Sequence, residues 1–305
     1  TLKKLNTGPL TNNAVQNIYK EIISACRELQ KPLKLAFLGP EGSFSHQAAA
    51  GEFGNSSILV AVASFEDVFS EVENRRVTYG VVPVENSIEG SVNIVLDLLS
   101  RSNLIVTAEL YLKIEHFLLN KTGSLKDIKV VASHPQALAQ CGKWINKNLP
   151  GVHLRETSST AEAAGLAAKR KNMAAISSES AGSIYKLKAA AKNIQNSSWN
   201  TTRFFVIGHN TVGPTGDDRT SIVFSLKDKP GELQKVFFEP FAKAGVNLTK
   251  IESRPSKERP WEYIFFVDFK GHRDDRKIGI LLRKLNKRSD YFKILGSYPI
   301  GNLKK

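Results

Sequence analysis

One unit recurs along this chain and restricts its fold more than any other feature. It is a short apolar run, a break of glycine, hydroxyl or amide residues, then a segment with helical spacing. KLAFL (34–38) breaks at GPEGSFS (39–45), and residues 44–53 read as a helix. Residues 58–62 are a second apolar run, followed by helical residues 65–74. YGVVPV (79–84) stops at Glu85-Asn86-Ser87 before a helical 92–99. Short strands alternating with helices predict an α/β layer on a mostly parallel sheet. A second series follows. Runs 104–111 and 114–119 precede KVVAS (129–133), and His134-Pro135-Gln136 opens a helix to about residue 146. Ser158-Ser159-Thr160 caps an Ala-rich helix over 161–171; 174–177 is a strand, 179–185 a helix and FFVI (204–207) a strand. The expectation is two α/β lobes in tandem, facing each other across a cleft.

The flanks read differently. Residues 8–30 predict one amphipathic helix, with Thr11 as N-cap and Val15, Ile18, Ile22, Cys26 and Leu29 on its apolar face. Pro32 stops it. Residues 211–218 (TVGPTGDD) are a linker by composition. Beyond it the order is strand 220–226, turn Asp228-Lys229-Pro230-Gly231, helix 232–243 with a kink at Pro240 and Gly245 at its end. Strands 246–253 and 263–269, helix 276–287 and strand 292–298 complete a ferredoxin-like βαββαβ domain.

Charge and cysteine content narrow the function classes. The 305 residues carry 43 Lys+Arg against 29 Asp+Glu, a formal +14. Residues 217–305 hold 20 basic and 12 acidic side chains, an excess of eight, so most of the charge belongs to the last domain. The basic residues are scattered, with no block of five or six like charges, which favours a solvated surface over a nucleic-acid site. No uncharged apolar run approaches the ~18 residues of a membrane span. Cys26 and Cys141 make no disulfide framework, and no Cys/His cluster has zinc spacing. A reduced, cytoplasmic protein without a metal is the expectation.

The polar breaks are where open α/β sheets bind ligands. GPEGS offers backbone N–H groups and Ser43 at a helix start, but it lacks the Gly-Lys-Ser/Thr of a phosphate loop. Glu85-Asn86-Ser87, Ser133-His134-Pro135-Gln136 with Gln140 one turn on, Ser158-Ser159-Thr160 and Thr201-Thr202-Arg203 each adjoin a strand end. Each alone reads equally well as a helix cap or surface turn. Together they suggest a site that binds an oxyanionic small molecule through neutral donors and a few charges. No Ser/His/Asp order or nucleophilic Cys context is present.

Residues 34–210 resemble the prephenate dehydratase catalytic domain. The motifs that carry the resemblance are GPEGSFSHQAA (39–49), VPVENSIEGSV (82–92), SHPQALAQC (133–141), STAEAA (159–164) and TRF (202–204). Residues 219–301 resemble the ACT regulatory domain, most strongly in NLTKIESRP (247–255). The opening helix is similar to the last helix of the chorismate mutase domain in bifunctional mutase–dehydratase P-proteins. The earlier mutase helices and their cations are not among these residues, so no mutase activity is expected. The implied division is 1–33 mutase remnant, 34–210 catalytic domain of periplasmic-binding-protein-like two-lobed form, 211–218 linker and 219–305 ACT domain.

The resemblance implies conversion of prephenate to phenylpyruvate, water and CO₂ without a cofactor. It assigns Thr202, Arg203, Glu85, Asn86, Ser133 and Gln140 to catalysis. Ser43, Ser87, Ser159, Thr160 and Phe204 are implied substrate contacts, while His134 is expected to be structural. Feedback by L-phenylalanine is implied at an ACT–ACT interface in a homodimer or homotetramer. Its residues would be Gly231, Leu233, Asn247, Leu248, Glu252, Ser253, Arg254 and Pro255. Glu232-Leu233-Gln234 departs from the family's Gly-Ala-Leu-type turn. The competing expectations are an arogenate dehydratase and a non-catalytic amino-acid sensor. The Thr202-Arg203-Phe204 motif favours catalysis over the latter.

Overall fold

The computed structural model describes residues 5–30, 33–54, 56–227, 229–256 and 262–301. Pro32, Asp228 of the expected turn and the terminal lysines lie outside these residues. The chain divides into two compact units. One takes in residues up to Val92 and Tyr111–Phe204; the other takes in Asn93–Leu110 and the chain from Phe205 onward.

The first unit begins with helix α1 (Asn12–Gln30). Thr11 caps it, its Oγ1 accepting from the Ala14 N–H at 3.2 Å. Ile18 and Ile22 on its apolar stripe are half exposed. The first sheet is built from β1 (Lys34–Leu38), β2 (Ile58–Val62) and β3 (Tyr79–Asn86), with β4 (Gly90–Ser91) folded back on β3. Helices α2 (Phe44–Phe53) and α3 (Phe65–Glu73) follow β1 and β2. β1 pairs parallel to both β2 and β3, as strand–helix–strand connections require. Leu35, Ala36 and Phe37 are fully buried, consistent with a strand covered on both faces. Helix α4 (Asn93–Arg101) comes next, then strand β5 (Ile105–Lys113).

The second sheet contains β6 (Phe117–Asn120), β7 (Val130–Ser133), β8 (His153–Glu156), β9 (Met173–Ser177) and β10 (Lys188–Ala191) in the order β10-β6-β9-β7-β8. It is mixed rather than mostly parallel, because β6 runs antiparallel to both β9 and β10. Helices α5 (Pro135–Asn148), α6 (Thr160–Ala167) and α7 (Glu179–Ile184) connect these strands. Alternation along the strands builds two cores. Leu118, Val131, Ala174 and Ile176 pack with Leu138, Cys141 and Ile145 of α5. Phe117, Leu119, Ala132 and Ala175 pack with Ala163, Ala164 and Ala167 of α6.

The structure corrects the tandem reading. β5 and β11 (Thr201–Gly208), expected in the second lobe, belong to the first sheet, whose order is β2-β1-β3-β11-β5. The chain therefore leaves the first sheet after β5, builds the second, and returns. Periodicity identifies a strand but not its partner. Helix α6 also stops short of the expected residue 171. Asn172 O accepts from Lys129 N and Val130 N, which draws the chain into β9. β8 escapes the sequence pattern because all four of its residues are exposed on a sheet edge.

In the second unit β12 (Asp218–Ser225), β13 (Leu248–Pro255), β14 (Tyr263–Lys270) and β15 (Tyr291–Pro299) form an antiparallel sheet in the order β13-β14-β12-β15. Helix α9 (Arg276–Arg288) and the segment 234–243 cover one face, giving the expected βαββαβ order. Ile222, Phe224, Phe237, Phe241, Val267, Phe269 and Leu285 are its core. Segment 234–243 is not a uniform helix: Gln234–Phe238 is π-helical and α8 (Glu239–Lys243) resumes the α form. Pro240 accounts for this, since its ring would collide with the Val236 carbonyl in an α-helix. A widened turn moves that carbonyl away, with Glu239 N bonding Gln234 O instead.

Helix α4 and the β5 segment also belong to this unit. Arg254 donates to Asn93 O at 2.6 Å and pairs with Asp97 at 2.8 Å. Lys293 donates to the α4 C-terminal carbonyls of Leu99 and Ser102, the helix end that favours a cation. No helix among the described residues is long and apolar enough to cross a membrane.

Candidate active site

Strand β11 carries Thr202 next to β3, which carries Glu85 and Asn86. Asn86 closes the turn between β3 and β4: its Oδ1 accepts from Ile88 N at 3.0 Å and Glu89 N at 3.1 Å. Backbone N–H groups only donate, so the Asn86 amide cannot be turned over. Its Nδ2 therefore donates to Thr202 Oγ1 at 2.9 Å and Asn200 Oδ1 at 2.8 Å. Asn200 Nδ2 donates in turn to Gln140 Oε1 at 2.9 Å, and Gln140 Nε2 to Glu89 Oε1 at 3.2 Å. The bonds return to Glu89, so Asn86, Asn200, Gln140 and Glu89 form a closed ring. Gln140 comes from α5, which covers the second sheet, so the ring ties both sheets of the first unit together.

The ring has a chemical consequence. Thr202 is a buried residue, 8% exposed, and its Oγ1 receives a hydrogen bond from Asn86, so its own proton is left to be given elsewhere. Arg203 sits 3.8 Å from the Glu85 carboxylate. Successive strand residues face opposite sides, so Glu85–Arg203 and Asn86–Thr202 are separate pairs.

His116 also reaches the ring. Its Nε2 lies 3.1 Å from Gln140 Oε1, and its Nδ1 is buried with no hydrogen-bond partner among the described residues. Burial holds the imidazole below its usual value of 6.5, outweighing the Gln140 bond, which acts the other way. Asn200, Glu89 and His116 escape sequence reasoning. The available signals were the Asn200 that precedes Thr201-Thr202-Arg203, the acid within ENSIEG, and a histidine directly before the strand FLLN.

Several predicted residues are not joined to the ring. Ser87 Oγ donates to Trp199 O at 2.9 Å and accepts from Thr201 N at 3.0 Å, latching the segment that presents Thr202. Ser43 is the N-cap of α2, accepting from His46 N at 3.2 Å and donating to Leu38 O at 3.1 Å. Ser133 is fully buried and donates to Ile176 O at 2.6 Å. Ser159 caps α6 through Glu162 N at 3.0 Å, and Thr160 is the first residue of that helix. Phe204 is 1% exposed, a core side chain. His134 caps α5, its Nδ1 accepting from Gln136 N at 3.3 Å. In the GPEGS turn, Gly42 has φ +85° and its carbonyl accepts from Ser178 Oγ at 2.8 Å. A Cβ there would press on Ala181 at 3.1 Å, so this turn packs against α7.

In the second unit Gly231 adopts φ +73°, which explains the glycine. Leu233 packs against the core, and Glu252 pairs with Lys250 at 3.3 Å. Asn247 O accepts from Lys270 N at 3.0 Å where β13 begins. Leu248, Ser253, Arg254 and Pro255 lie on β13, an edge strand. A groove of about 860 Å³ between α9 and the 234–243 segment is lined by seven Lys and Arg side chains against Glu239 alone. This is where much of the excess charge resides.

Comparison with known proteins agrees with this organisation. Residues 35–212 match the prephenate dehydratase family, and residues 220–285 match the ACT domain family. A bifunctional chorismate mutase/prephenate dehydratase of Aquifex aeolicus is 46% identical over 297 residues, covering 97% of this chain and 82% of that protein. The structure of a prephenate dehydratase from Arthrobacter aurescens in complex with L-Phe gives a TM-score of 0.80 at 30% identity, over 88% of this chain and 90% of that one. A protein described as a novel type of quorum quenching acylase gives 0.81 at 28% identity, over 89% and 100%. The fold is thus the two-lobed α/β form of the prephenate dehydratases, and the chain also carries an ACT domain. The chain belongs to the prephenate dehydratase family.

Proposed function

We propose that this protein converts prephenate to phenylpyruvate, with residues 34–210 as the catalytic domain and residues 219–305 as a regulatory ACT domain. The observation that carries the reading is the Asn86 donation to Thr202, which turns the Thr202 proton outward. Prephenate bears two carboxylates and a ring hydroxyl. The bond to the ring carboxylate breaks and its electron pair enters the ring. The bond to the hydroxyl breaks, and one proton completes a water molecule. Aromatisation drives the step, so no external electron carrier is needed.

Thr202 donates a hydrogen bond to the departing hydroxyl. Its hydroxyl is a weak acid, so the proton passes in a concerted or relayed transfer rather than by prior ionisation. Arg203, steadied by Glu85, supplies positive charge beside the strand. Ser159 and Thr160, at the N-terminus of α6, hold a substrate carboxylate where the helix dipole favours an anion. Ser133, Ser43, Ser87 and Phe204 act by shaping the walls.

The regulatory ligand is L-phenylalanine, bound by a homodimer or homotetramer across the edge strand β13 and the Gly231 turn. Ile251 and Tyr263, both exposed near that edge, support an interface there. The likeness to bifunctional enzymes over 97% of this chain supports reading α1 as the last helix of a mutase domain. Two cysteines that make no disulfide framework support a cytoplasmic setting. Purified protein should release phenylpyruvate from prephenate, and more slowly with L-phenylalanine. No product would refute the catalytic reading. Indifference to L-phenylalanine would refute the regulatory one. Higher kcat/KM on arogenate would transfer the assignment to that amino analogue.

A further inference from the structure

We infer that His116 is a positioning residue for the dehydration step: its Nε2–H locks the Gln140 amide. Through Gln140 and Asn200 it steadies Asn86, whose direction Ile88 and Glu89 fix, so that Nδ2 stays on Thr202 Oγ1 and the Thr202 proton is left for the substrate. The identity of the reaction rests on the reading above; the geometry does not.

A side-chain amide can turn over, exchanging its oxygen and nitrogen, at little steric cost. Something must therefore fix the direction of each bond in the ring. At one end the backbone N–H groups of Ile88 and Glu89 hold Asn86. At the other end stands Gln140, whose Oε1 faces both Asn200 Nδ2 and His116 Nε2. With Gln140 turned over, its amide nitrogen would face the Asn200 amide nitrogen and the imidazole N–H, while its oxygen would face the Glu89 carboxylate. Every one of these contacts would set like against like. Gln140 Oε1 can only accept and has a second lone pair free beside the Asn200 bond, so the His116 contact is a hydrogen bond only in the tautomer with hydrogen on Nε2.

The rest of the site agrees. His116 is 2% exposed, and among the described residues its Nδ1 has no acceptor to which a second hydrogen could be given. A charged ring would leave that hydrogen unpaired in a buried place. The main chain fixes the ring's position: His116 N donates to Gln195 Oε1 at 2.9 Å, and His116 O accepts from Ile194 N at 3.0 Å. The Phe44 ring stands edge-on at 5.5 Å. Burial that holds the imidazole below 6.5 keeps it neutral at neutral pH.

The test uses the full chain with His116→Met, which fills the space without a donor, and His116→Gln, which restores an N–H near the Nε2 position. With prephenate as substrate, His116→Met should lose about tenfold or more in kcat while KM stays within about twofold, and His116→Gln should regain most of it. Equal loss in both variants at unchanged melting temperature would overturn the donor role, as would a His116→Met kcat within about twofold of the parent. Nitrogen-15 spectra of histidine-labelled parent protein give a second readout that does not depend on a variant folding. They should show His116 as a neutral ring with hydrogen on Nε2 at pH about 7 to about 8. Hydrogen on Nδ1, or a charged ring, would overturn the lock. Failure of the parent chain to make phenylpyruvate would strike the reaction reading and leave the spectrum as judge of the His116–Gln140 bond.

Discussion

Thr202→Val separates chemistry from architecture at one atom. Valine keeps the β-branch that suits a strand and replaces only the hydroxyl with a methyl. In the folded protein that hydroxyl accepts one hydrogen bond, from Asn86 at 2.9 Å. Asn86 keeps its bond to Asn200 at 2.8 Å, and its own half-buried position lets water meet the freed hydrogen. The stability cost is therefore one neutral hydrogen bond, about 1 kcal/mol, partly offset by the added methyl at about 0.8 kcal/mol. Loss of a positioned proton donor costs roughly 10²–10⁴ in rate, or about 3–5 kcal/mol of barrier. The catalytic loss should exceed the structural loss severalfold in free energy. Phenylpyruvate absorbance gives kcat, and thermal melting gives stability. Thr202→Ser, which restores the hydroxyl, should recover much of the rate. A Thr202→Val enzyme within about fivefold of the parent and melting normally would refute the donor role, since no hydroxyl would then be needed.

Other consequences are open to simple measurement. His116 and His46 are both held below the ordinary 6.5, chiefly by burial, so the unfolded chain binds protons that the folded one refuses. Stability should be full above pH 6.5 and fall as acid is added below it; denaturant midpoints that stay flat from neutral pH downward to about 5 would contradict this. Burial pushes the Cys141 thiol up to about 12, whereas Cys26 is exposed. A thiol reagent should therefore modify Cys26 alone in the native protein and both after unfolding; rapid native labelling of Cys141 would count against the α5 core. Gly296→Ala places a Cβ on the backbone carbonyl of Val106, which cannot yield as a side chain would. A loss on the order of 3 kcal/mol and an earlier denaturant transition are expected; an unchanged transition would reject that close approach.

Legibility in the sequence followed the range of the interaction concerned. Strand ends, helix caps and the βαββαβ order are local, and the residues announce them: Thr11, His134 and Gly245 stand where helices start or stop. Pairings across the chain are not local. Asn200 meets Asn86 across 114 residues and Gln140 across 60, and nothing in its neighbourhood marks it as more than one polar residue beside a motif. The same holds for β5 and β11, legible as strands but not as members of the first sheet. Pro240 signalled a disturbance without its form, because a kink and a π turn both relieve the same collision. The hydroxyls divided on availability. Thr202 keeps a proton to give, whereas Ser43, Ser87 and Ser133 spend theirs on backbone carbonyls.

The position of β11 bears on how the protein is made. It lies between β3 and β5 in its sheet, yet it is the last of that sheet's strands to leave the ribosome. A nascent chain ending before Thr201 carries β3 and β5 with the slot between them unfilled, while every strand of the second sheet has already been synthesised. The second sheet can close as an inserted lobe while the first waits. The strand that completes the sheet is also the one that delivers Thr202, so under the proposed role of Thr202 a partly made chain has no proton donor for substrate before its framework is whole.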